Sequence, residues 1–367
     1  MIAVVTCGHR PDDERIYERE IKSLLTAGYE ITYFTRWKSD ITLSEKNLWH
    51  RNYSEKDISI KEYINGILKD FKVLKPKVVH IHEFELLPLA KKAKRLFNTK
   101  IIYDVHEANI ELWDAFSSKP AGVKQVINKS LNQYEKSYLK SVDYVLAATP
   151  ELVNRYEKRG VKSSFIPNYP IVFPRRNRKS EIPTIIYHGQ ISLERGLEDL
   201  IKAVSPIMKK ELSFKVEIYG SERVSGTIKQ LNEQINTLKL NKVVKIYNQI
   251  PHDEMLKALS KAHIAVIPFR DHPMFRIAIP VKMFEAMWAR CAIIASDLEP
   301  IRKYGEGFME FYPPGDVEAL SRSIERLLHN DEERNSMGAI GSKLVKEKYN
   351  WQKVEPTLLD IYSKVVN

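Results

Sequence analysis

Cysteine is nearly absent from this sequence of 367 residues, which contains only Cys7 and Cys291. Two cysteines in separate halves of a chain provide neither a disulfide framework nor zinc-ligand spacing, and they fit a reducing compartment. Long apolar runs are also missing, since no stretch approaches the roughly 18 residues that would span a bilayer. The opening six residues are too short an apolar run for a signal peptide and carry no basic leader. We therefore expect a cytoplasmic protein.

Acidic residues are outnumbered by basic ones, which gives a net charge of +11. Basic residues cluster at positions 91–95 and 175–179. The first cluster lies on a predicted amphipathic helix, whose opposite face carries Leu86, Leu89, Ala93, Leu96 and Phe97. Such a basic face could contact the anionic headgroups of a membrane or could simply be solvated. No aromatic-basic RNA signature or DNA-reading helix pattern accompanies it, so a nucleic-acid partner is not expected.

The length and the alternation of apolar strands with helices predict two α/β domains. A strand, a glycine-containing turn, a helix and a second strand open the chain, and the same alternation restarts at residue 184. Between the halves, residues 169–182 contain prolines and a charge run without periodicity. We predict a domain at 1–168 joined by a C-terminal helix at 351–367, a linker at 169–182, and a domain at 183–350. Both would be Rossmann-like and would face each other across a cleft.

The stretch at 268–296 carries the strongest indication of a binding site. An apolar strand leads through a polar loop to Pro280, a predicted first helical residue, and Lys282 and Glu285 follow on one helix face. A helix start favours anions, and a fixed carboxylate is a usual partner of a ribose diol.

Polar residues also follow two predicted strands of the first half. Gly8 and His9 come after the first strand, although the loop lacks the GxGxxG dinucleotide fingerprint. His106 and Glu107 come after the strand that begins at Lys100. Parallel sheets place their ligands at such strand ends. Trp113, in a stretch without clear periodicity, is a candidate acceptor platform, although core packing is an equal alternative.

The second half resembles the family 4 glycosyltransferases of the GT-B fold, and the likeness extends over nearly the whole chain. It rests on Gly189 with Arg195 and Gly196, on Tyr219-Gly220, and on the segments at 246–250, 262–268, 280–287 and 293–296. In the first half it rests on residues 13–15, 28–29, 80–82 and 103–107, and the ending at Asn350-Trp351 is similar to the segment that returns to the N-terminal domain.

This resemblance implies transfer of a sugar from a nucleotide-sugar donor without a bound metal or other cofactor. The implied catalytic residues are His106, Arg195 and Lys282. Arg195 would contact the donor diphosphate, Glu285 its ribose, and Ile250 its base through the backbone. The further implied donor-binding residues are Gly8, Gly189, Gln190, Gly220, Ala278 and Ile279. The acceptor-binding candidates are His9, Asp13, Glu107 and Trp113.

Three positions depart from the family pattern. Ile277 stands where the first glutamate of the family's pair is expected, eight residues before Glu285. Gln190 replaces an arginine, and Arg290 replaces the glycine that normally closes the helix. We hypothesise that Arg276 restores positive charge near the phosphates.

The resulting hypothesis is a retaining glycosyltransferase of cell-surface polysaccharide or glycolipid assembly. Its donor would be a UDP-sugar or, as a second choice, a GDP-sugar, and its acceptor a glycan or a lipid-linked molecule at an anionic membrane. Two alternatives remain open, a nucleotide-sugar epimerase of the same fold and a catalytically silent nucleotide-sugar-binding subunit.

Overall fold

The computed structural model describes residues 1–39, 41–106, 108–117, 119–172, 178–210 and 213–366. The chain forms two compact units. Unit 1 contains Met1–Asn168 together with the segment from Trp351 onward, and unit 2 contains Tyr169–Asn350. Of the candidate site residues, Glu107 lies outside the described residues.

Unit 1 is built on a parallel sheet of seven strands within the described residues, in the order β3-β2-β1-β4-β5-β6-β7. Its central strands are buried on both faces, which is why they read as continuous apolar runs. The strands are β1 (Ile2–Val5), β2 (Ile31–Trp37), β3 (Leu48–Ser54), β4 (Val78–Ile81), β5 (Lys100–Val105), β6 (Tyr144–Ala147) and β7 (Ser163–Phe165).

Helices connect these strands, as parallel pairing requires a crossover. Residues Glu14–Ile21 form a π-helix that is capped by Asp13 and runs directly into α1 (Lys22–Thr26). The other α-helices in this part of the chain are α2 (Ile60–Leu74), α3 (Leu87–Phe97), α4 (Asn109–Phe116), α5 (Ala121–Leu139) and α6 (Pro150–Glu157).

Two sequence-based expectations in unit 1 need correction. Residues 109–116 form a helix, whereas their sequence showed no clear periodicity. Leu96, expected on the apolar face of α3, is 55% exposed, although Leu86, Leu89 and Ala93 are buried as expected. The strands β3 and β7 were not anticipated, because both lie toward a sheet edge and carry polar residues.

Unit 2 is built on a second parallel sheet, of six strands in the described residues, ordered β10-β9-β8-β11-β12-β13. Its strands are β8 (Thr184–His188), β9 (Lys215–Tyr219), β10 (Val244–Tyr247), β11 (Ile264–Ile267), β12 (Ala292–Ser296) and β13 (Glu310–Tyr312). Its helices are α7 (Leu197–Met208), α8 (Thr227–Thr237), α9 (His252–Lys261), α10 (Val281–Trp288), α11 (Glu299–Gly305), α12 (Val317–His329) and α13 (Asp331–Glu347).

The last helix, α14 (Trp351–Val366), belongs to unit 1. Its Trp351 indole N–H donates to the Ser23 hydroxyl at 2.9 Å, and its Tyr362 hydroxyl lies 2.6 Å from His80 Nδ1. Both aromatic side chains are buried. The return of the chain to its first half, predicted from the ending at Asn350-Trp351, is therefore present in the fold. Among the residues described, no helix is both long and apolar enough to span a bilayer.

Arg290 lies just beyond the end of α10 in a left-handed conformation, with φ of 58°. A side chain at such a φ is strained, which explains why a glycine is the usual residue here.

Replacing Arg290 with glycine is expected to raise the free energy of unfolding by about 1 kcal/mol. Chemical denaturation measures this change. Arg290→Ala is the matched control, since it removes the same exposed side chain but keeps Cβ. An equal gain from both variants would contradict the strain explanation.

Candidate functional site

The candidate site of unit 2 lies where β8 and β11 end. Gly189 follows β8 with φ of 115°, and a Cβ on this residue would lie 2.6 Å from Lys282 Nζ. Gly196 precedes α7, and a Cβ there would lie 1.8 Å from the carbonyl oxygen of Pro268. Only glycine fits these two positions. The first leaves room for a lysine, and the second brings the turn that carries Arg195 against the end of β11.

Lys282 and Arg195 meet on a set of aromatic rings. Lys282 Nζ lies 4.1 Å from the centroid of Tyr187 and 5.5 Å from that of Phe269. The Arg195 guanidinium carbon lies 5.1 Å from the centroid of Phe269 and 5.3 Å from that of Phe275. The faces of aromatic rings attract cations, so the rings hold two positive groups close together.

Each of these two basic groups has one buried nitrogen that the described residues leave unpaired. Lys282 Nζ and Arg195 Nε are buried atoms without a hydrogen-bond partner among the described residues. Burial, and after it the charge of Arg195, holds the pKa of Lys282 well below its usual range. Two neighbouring basic groups, each with a buried nitrogen that has no partner, form a site for an anion with several oxygen atoms.

Glu285 lies one helical turn from Lys282 on α10 and is held by two histidines. His188 Nε2 lies 2.7 Å from Oε2, and His252 Nε2 lies 2.9 Å from Oε1. Burial alone would raise the pKa of Glu285, but the hydrogen bonds from His188 and His252 outweigh it and lower the pKa. Glu285 is therefore an ionised, oriented carboxylate. Each of its oxygens keeps one lone pair for a further donor.

These two histidines were missed by the sequence analysis. His188 is the last residue of β8, and His252 is the first of α9. Strand ends and helix starts in a parallel α/β unit are positions where ligands bind, so both histidines could have been recognised as candidates from the sequence.

The remaining candidates of unit 2 fall into two groups. Gly220 follows β9 and Ile250 precedes α9, so both lie in loops that follow strand ends. The backbone carbonyl oxygen of Gln190 accepts a hydrogen bond of 2.7 Å from the Tyr187 hydroxyl. Ala278 and Ile279 lie in the loop before α10, which begins at Val281, one residue later than expected.

Arg276 pairs with an acidic residue five positions earlier, and its role near the donor phosphates stays a prediction. Its guanidinium forms two hydrogen bonds with exposed Asp271, at 2.9 and 2.8 Å.

In unit 1 the candidates Gly8, His9, Asp13 and His106 come together. The two histidines face each other through their Nε2 atoms at 3.2 Å, and His9 Nδ1 lies 3.3 Å from Asp13 Oδ2. Asp104 Oδ2 lies 3.5 Å from His106 Nδ1. Each of the two facing imidazoles therefore has a carboxylate beside its Nδ1 atom. Trp113 lies on α4 and is half-buried.

Glu83 is a further residue that the sequence analysis missed. Its carboxylate accepts the backbone N–H groups of Cys7 at 3.0 Å and Gly8 at 3.1 Å, and it also accepts the Thr6 hydroxyl. Glu83 follows His82 just beyond the end of β4, so its carboxylate fixes the loop after the neighbouring strand β1.

Comparison with known proteins identifies the segment that carries the unit 2 site. Residues 170–344 match the family model described as glycosyl transferases group 1. This segment is a group 1 glycosyl transferase domain. The predicted resemblance to glycosyltransferases is confirmed, while membership of family 4 in particular stays a prediction.

The glycosyl transferase domain has a curated relative with a lipid in its name. The chain is 26% identical over 186 residues to a phosphatidyl-myo-inositol mannosyltransferase of Mycobacterium leprae, with 50% of this chain and 46% of that one aligned. The chain spans about half the length of the curated relatives it matches.

Solved structures extend the likeness to both units. Sucrose-phosphate synthase from Thermosynechococcus elongatus matches with a TM-score of 0.76 and 18% identity, over 100% of this chain and 99% of that one. HepE of Anabaena, solved in complex with UDP, matches with a TM-score of 0.74 and 10% identity, over 99% of each chain. The GT-B fold predicted from the sequence is confirmed.

Proposed function

We propose that the protein is a glycosyltransferase that transfers a sugar from a nucleotide-sugar donor to a glycan or a lipid-linked acceptor in cell-surface glycan assembly. Transfer would retain the configuration of the anomeric carbon and would need no metal ion at the donor. Residues 170–344 supply the domain that binds the donor. UDP-sugars are the preferred donor class because the structurally similar HepE binds UDP, and GDP-sugars are the second choice.

The observation that carries this proposal is the pair of basic side chains Lys282 and Arg195, each with a buried nitrogen that has no hydrogen-bond partner among the described residues. When a glycosidic bond to a nucleotide breaks, negative charge develops on the diphosphate. Two fixed N–H donors in a buried, aromatic-lined site stabilise that charge with little reorganisation. Divalent metals often serve the same purpose, and we propose that Lys282 and Arg195 take the place of a metal at the donor.

Other residues are proposed to bind the ribose and the base of the donor and to act in catalysis. Glu285 would accept the ribose hydroxyls, because its carboxylate is ionised and held in place by His188 and His252. The base would contact the backbone at Ile250. His106, in unit 1, is proposed as the catalytic histidine, with Asp104 as the group that orients it.

The test is a thermal-shift screen of the full chain against UDP-, GDP- and ADP-sugars. Since a ligand that binds only the folded state stabilises it by mass action, the cognate donor is expected to raise the melting temperature by roughly 5 °C at a 100-fold excess over Kd. Mass spectrometry then follows donor turnover with cell-envelope acceptors. Binding without release of the nucleotide would favour the silent subunit, and inversion at a ring carbon would favour the epimerase. No stabilisation by any donor would contradict the proposal.

Binding of the donor is expected to take up a proton on Lys282. The pKa of Lys282 is held low in the free protein, mainly by burial. An incoming diphosphate raises this pKa, because an opposite charge favours the protonated amine. By linkage, affinity should therefore increase as the pH is lowered.

Titration calorimetry of the donor sugar in two buffers of different ionisation enthalpy measures this uptake. The intact nucleotide-sugar is the suitable ligand, since its diphosphate has no proton to exchange near neutral pH. The difference between the buffers should disappear in Lys282→Met. Equal heats for the wild-type chain in both buffers would show that Lys282 is already protonated in the free protein.

A lipid-linked acceptor would bring the protein to an anionic membrane, and unit 1 offers a surface for it. Leu96 on α3 and Val126 on α5 are 55% and 65% exposed, and Lys91 and Arg95 on α3 are exposed. We expect vesicles of phosphatidylglycerol to sediment the protein more strongly than vesicles of phosphatidylcholine. Each basic residue contributes about 1 kcal/mol at an anionic surface, so Lys91→Glu/Arg95→Glu should weaken sedimentation by tenfold or more.

The matched control for the vesicle experiment is Lys202→Glu/Lys209→Glu, which changes the net charge equally at exposed positions of unit 2. Equal losses in the two double variants would indicate an effect of net charge alone.

A further inference from the structure

Three side chains of unit 1 converge in its core and are used by neither the donor site nor the paired histidines. Glu20 comes from the helix Glu14–Ile21, and His80 and His82 come from β4 and the residue after it. Their exposed fractions are 1%, 0% and 2%. His80 and His82 are two residues apart on the strand, so their side chains point to the same side of the sheet.

The atoms that face each other lack hydrogen bonds. Glu20 Oε2 lies 3.8 Å from His80 Nε2 and 3.9 Å from His82 Nε2. All three are buried without a hydrogen-bond partner among the described residues. Leaving a buried polar atom unpaired destabilises the folded protein, so three such atoms at one point indicate a ligand between them.

The other nitrogen of each imidazole has an oxygen atom beside it. Tyr362 Oη lies 2.6 Å from His80 Nδ1, and Asp104 Oδ2 lies 3.4 Å from His82 Nδ1. An oxygen that accepts the Nδ1 proton leaves the lone pair on Nε2, directed at Glu20. Imidazoles that bind metals are oriented in this way, with one nitrogen on the ion and the other on a carboxylate or a hydroxyl.

We propose that Glu20, His80 and His82 bind a divalent transition-metal ion of the zinc class in the core of unit 1. Bonds of about 2.0–2.2 Å place the ligand atoms of a tetrahedral zinc ion about 3.3–3.6 Å apart. The observed separations of 3.8 and 3.9 Å close to this value through shifts of a few tenths of an ångström.

The local charges favour a cation. Arg15 forms two hydrogen bonds of 2.8 Å with Asp104, and its Nε lies 3.1 Å from Glu20 Oε1. One guanidinium thus faces two buried carboxylates, and the second oxygen of Glu20, Oε2, lies 3.8 and 3.9 Å from the two histidines. A metal ion at that oxygen supplies the missing positive charge.

The ion would have a structural role. It would join the helix that contains Glu20 to β4 and, through Tyr362, to α14. Sugar transfer does not depend on it chemically, so the site goes beyond the proposed function.

The test uses the full chain without a polyhistidine tag, produced in medium supplemented with ZnCl2. Mass spectrometry of the metals in the dialysed protein is expected to find about one zinc per chain. Removing it with a chelator should lower the melting temperature, and ZnCl2 should restore it. CoCl2 should give the visible absorption of a tetrahedral cobalt site. A zinc content below a tenth of an equivalent, with no thermal shift on adding ZnCl2, would overturn the proposal.

Glu20→Gln keeps the shape of the side chain and removes the anionic ligand, and its zinc affinity should fall at least 100-fold. His329→Gln removes an exposed histidine elsewhere and should bind zinc like the wild type. If Glu20→Gln does not fold, Tyr362→Phe replaces it, because it leaves all three ligands in place. Loss of the partner of His80 should weaken zinc binding by about 10- to 100-fold. Unchanged zinc affinity in the variant that folds would overturn the assignment.

Discussion

Lys282→Met is expected to lower kcat/KM for sugar transfer by about 10²- to 10³-fold. Methionine fills a volume similar to that of the lysine stem but carries no charge, so the aromatic packing on Tyr187 and Phe269 survives. The variant loses one N–H donor aimed at the developing negative charge, and removal of a single such donor typically costs about 3–4 kcal/mol of barrier. Steady-state kinetics with the donor found by the screen measures the loss.

The matched control is Lys202→Met, which removes an exposed lysine of the same unit. It should leave kcat/KM unchanged. If Lys282→Met weakens donor binding but leaves kcat unchanged, the lysine binds the ground state and transition state equally well. A variant with wild-type kcat and KM would remove Lys282 from the site altogether.

Glu285→Gln is expected to reduce UDP affinity by about 10- to 100-fold, because a hydrogen bond to a charged group contributes roughly 1.5–3 kcal/mol. The ribose is responsible for this loss if Glu285 holds its hydroxyls. We therefore expect wild-type protein to prefer UDP to 2′,3′-dideoxy-UDP, and Glu285→Gln to bind the two almost equally. Titration calorimetry of both proteins with both ligands completes the cycle.

The cycle separates two roles of the same carboxylate. His188 and His252 both lose part of their partner in Glu285→Gln, so some affinity could disappear through their movement alone. Such a loss would be the same for UDP and for the dideoxy analogue. Parallel losses would therefore show that Glu285 positions its histidines and does not hold the ribose.

The strand ends of the sheets were the most predictable part of the molecule. Buried parallel strands are continuous apolar runs, so the loops after β1, β5 and β8 could be located from the sequence, together with Gly8, His106 and Gly189. The i, i+3 spacing placed Lys282 and Glu285 on one helix face. Periodicity and strand order were sufficient for these predictions, because they depend on backbone geometry.

Contacts between side chains that are distant in the sequence were not predictable. His188 and His252 lie 97 and 33 residues from Glu285, and Glu83 lies 75 residues from Gly8. Nothing in local periodicity encodes such pairings, which arise only when neighbouring strands align. The pairing of Arg276 with Asp271, five residues away, was not predicted for a different reason, since an irregular loop has no period that places side chains together.

The position of α14 has a consequence for biosynthesis. Unit 1 is assembled from two separated parts of the chain, so the ribosome must translate all of unit 2 before Trp351 and Tyr362 reach Ser23 and His80. Until then, the apolar surface that receives this helix faces water. The first half of the nascent protein therefore depends on protection from aggregation for most of the time needed for its synthesis.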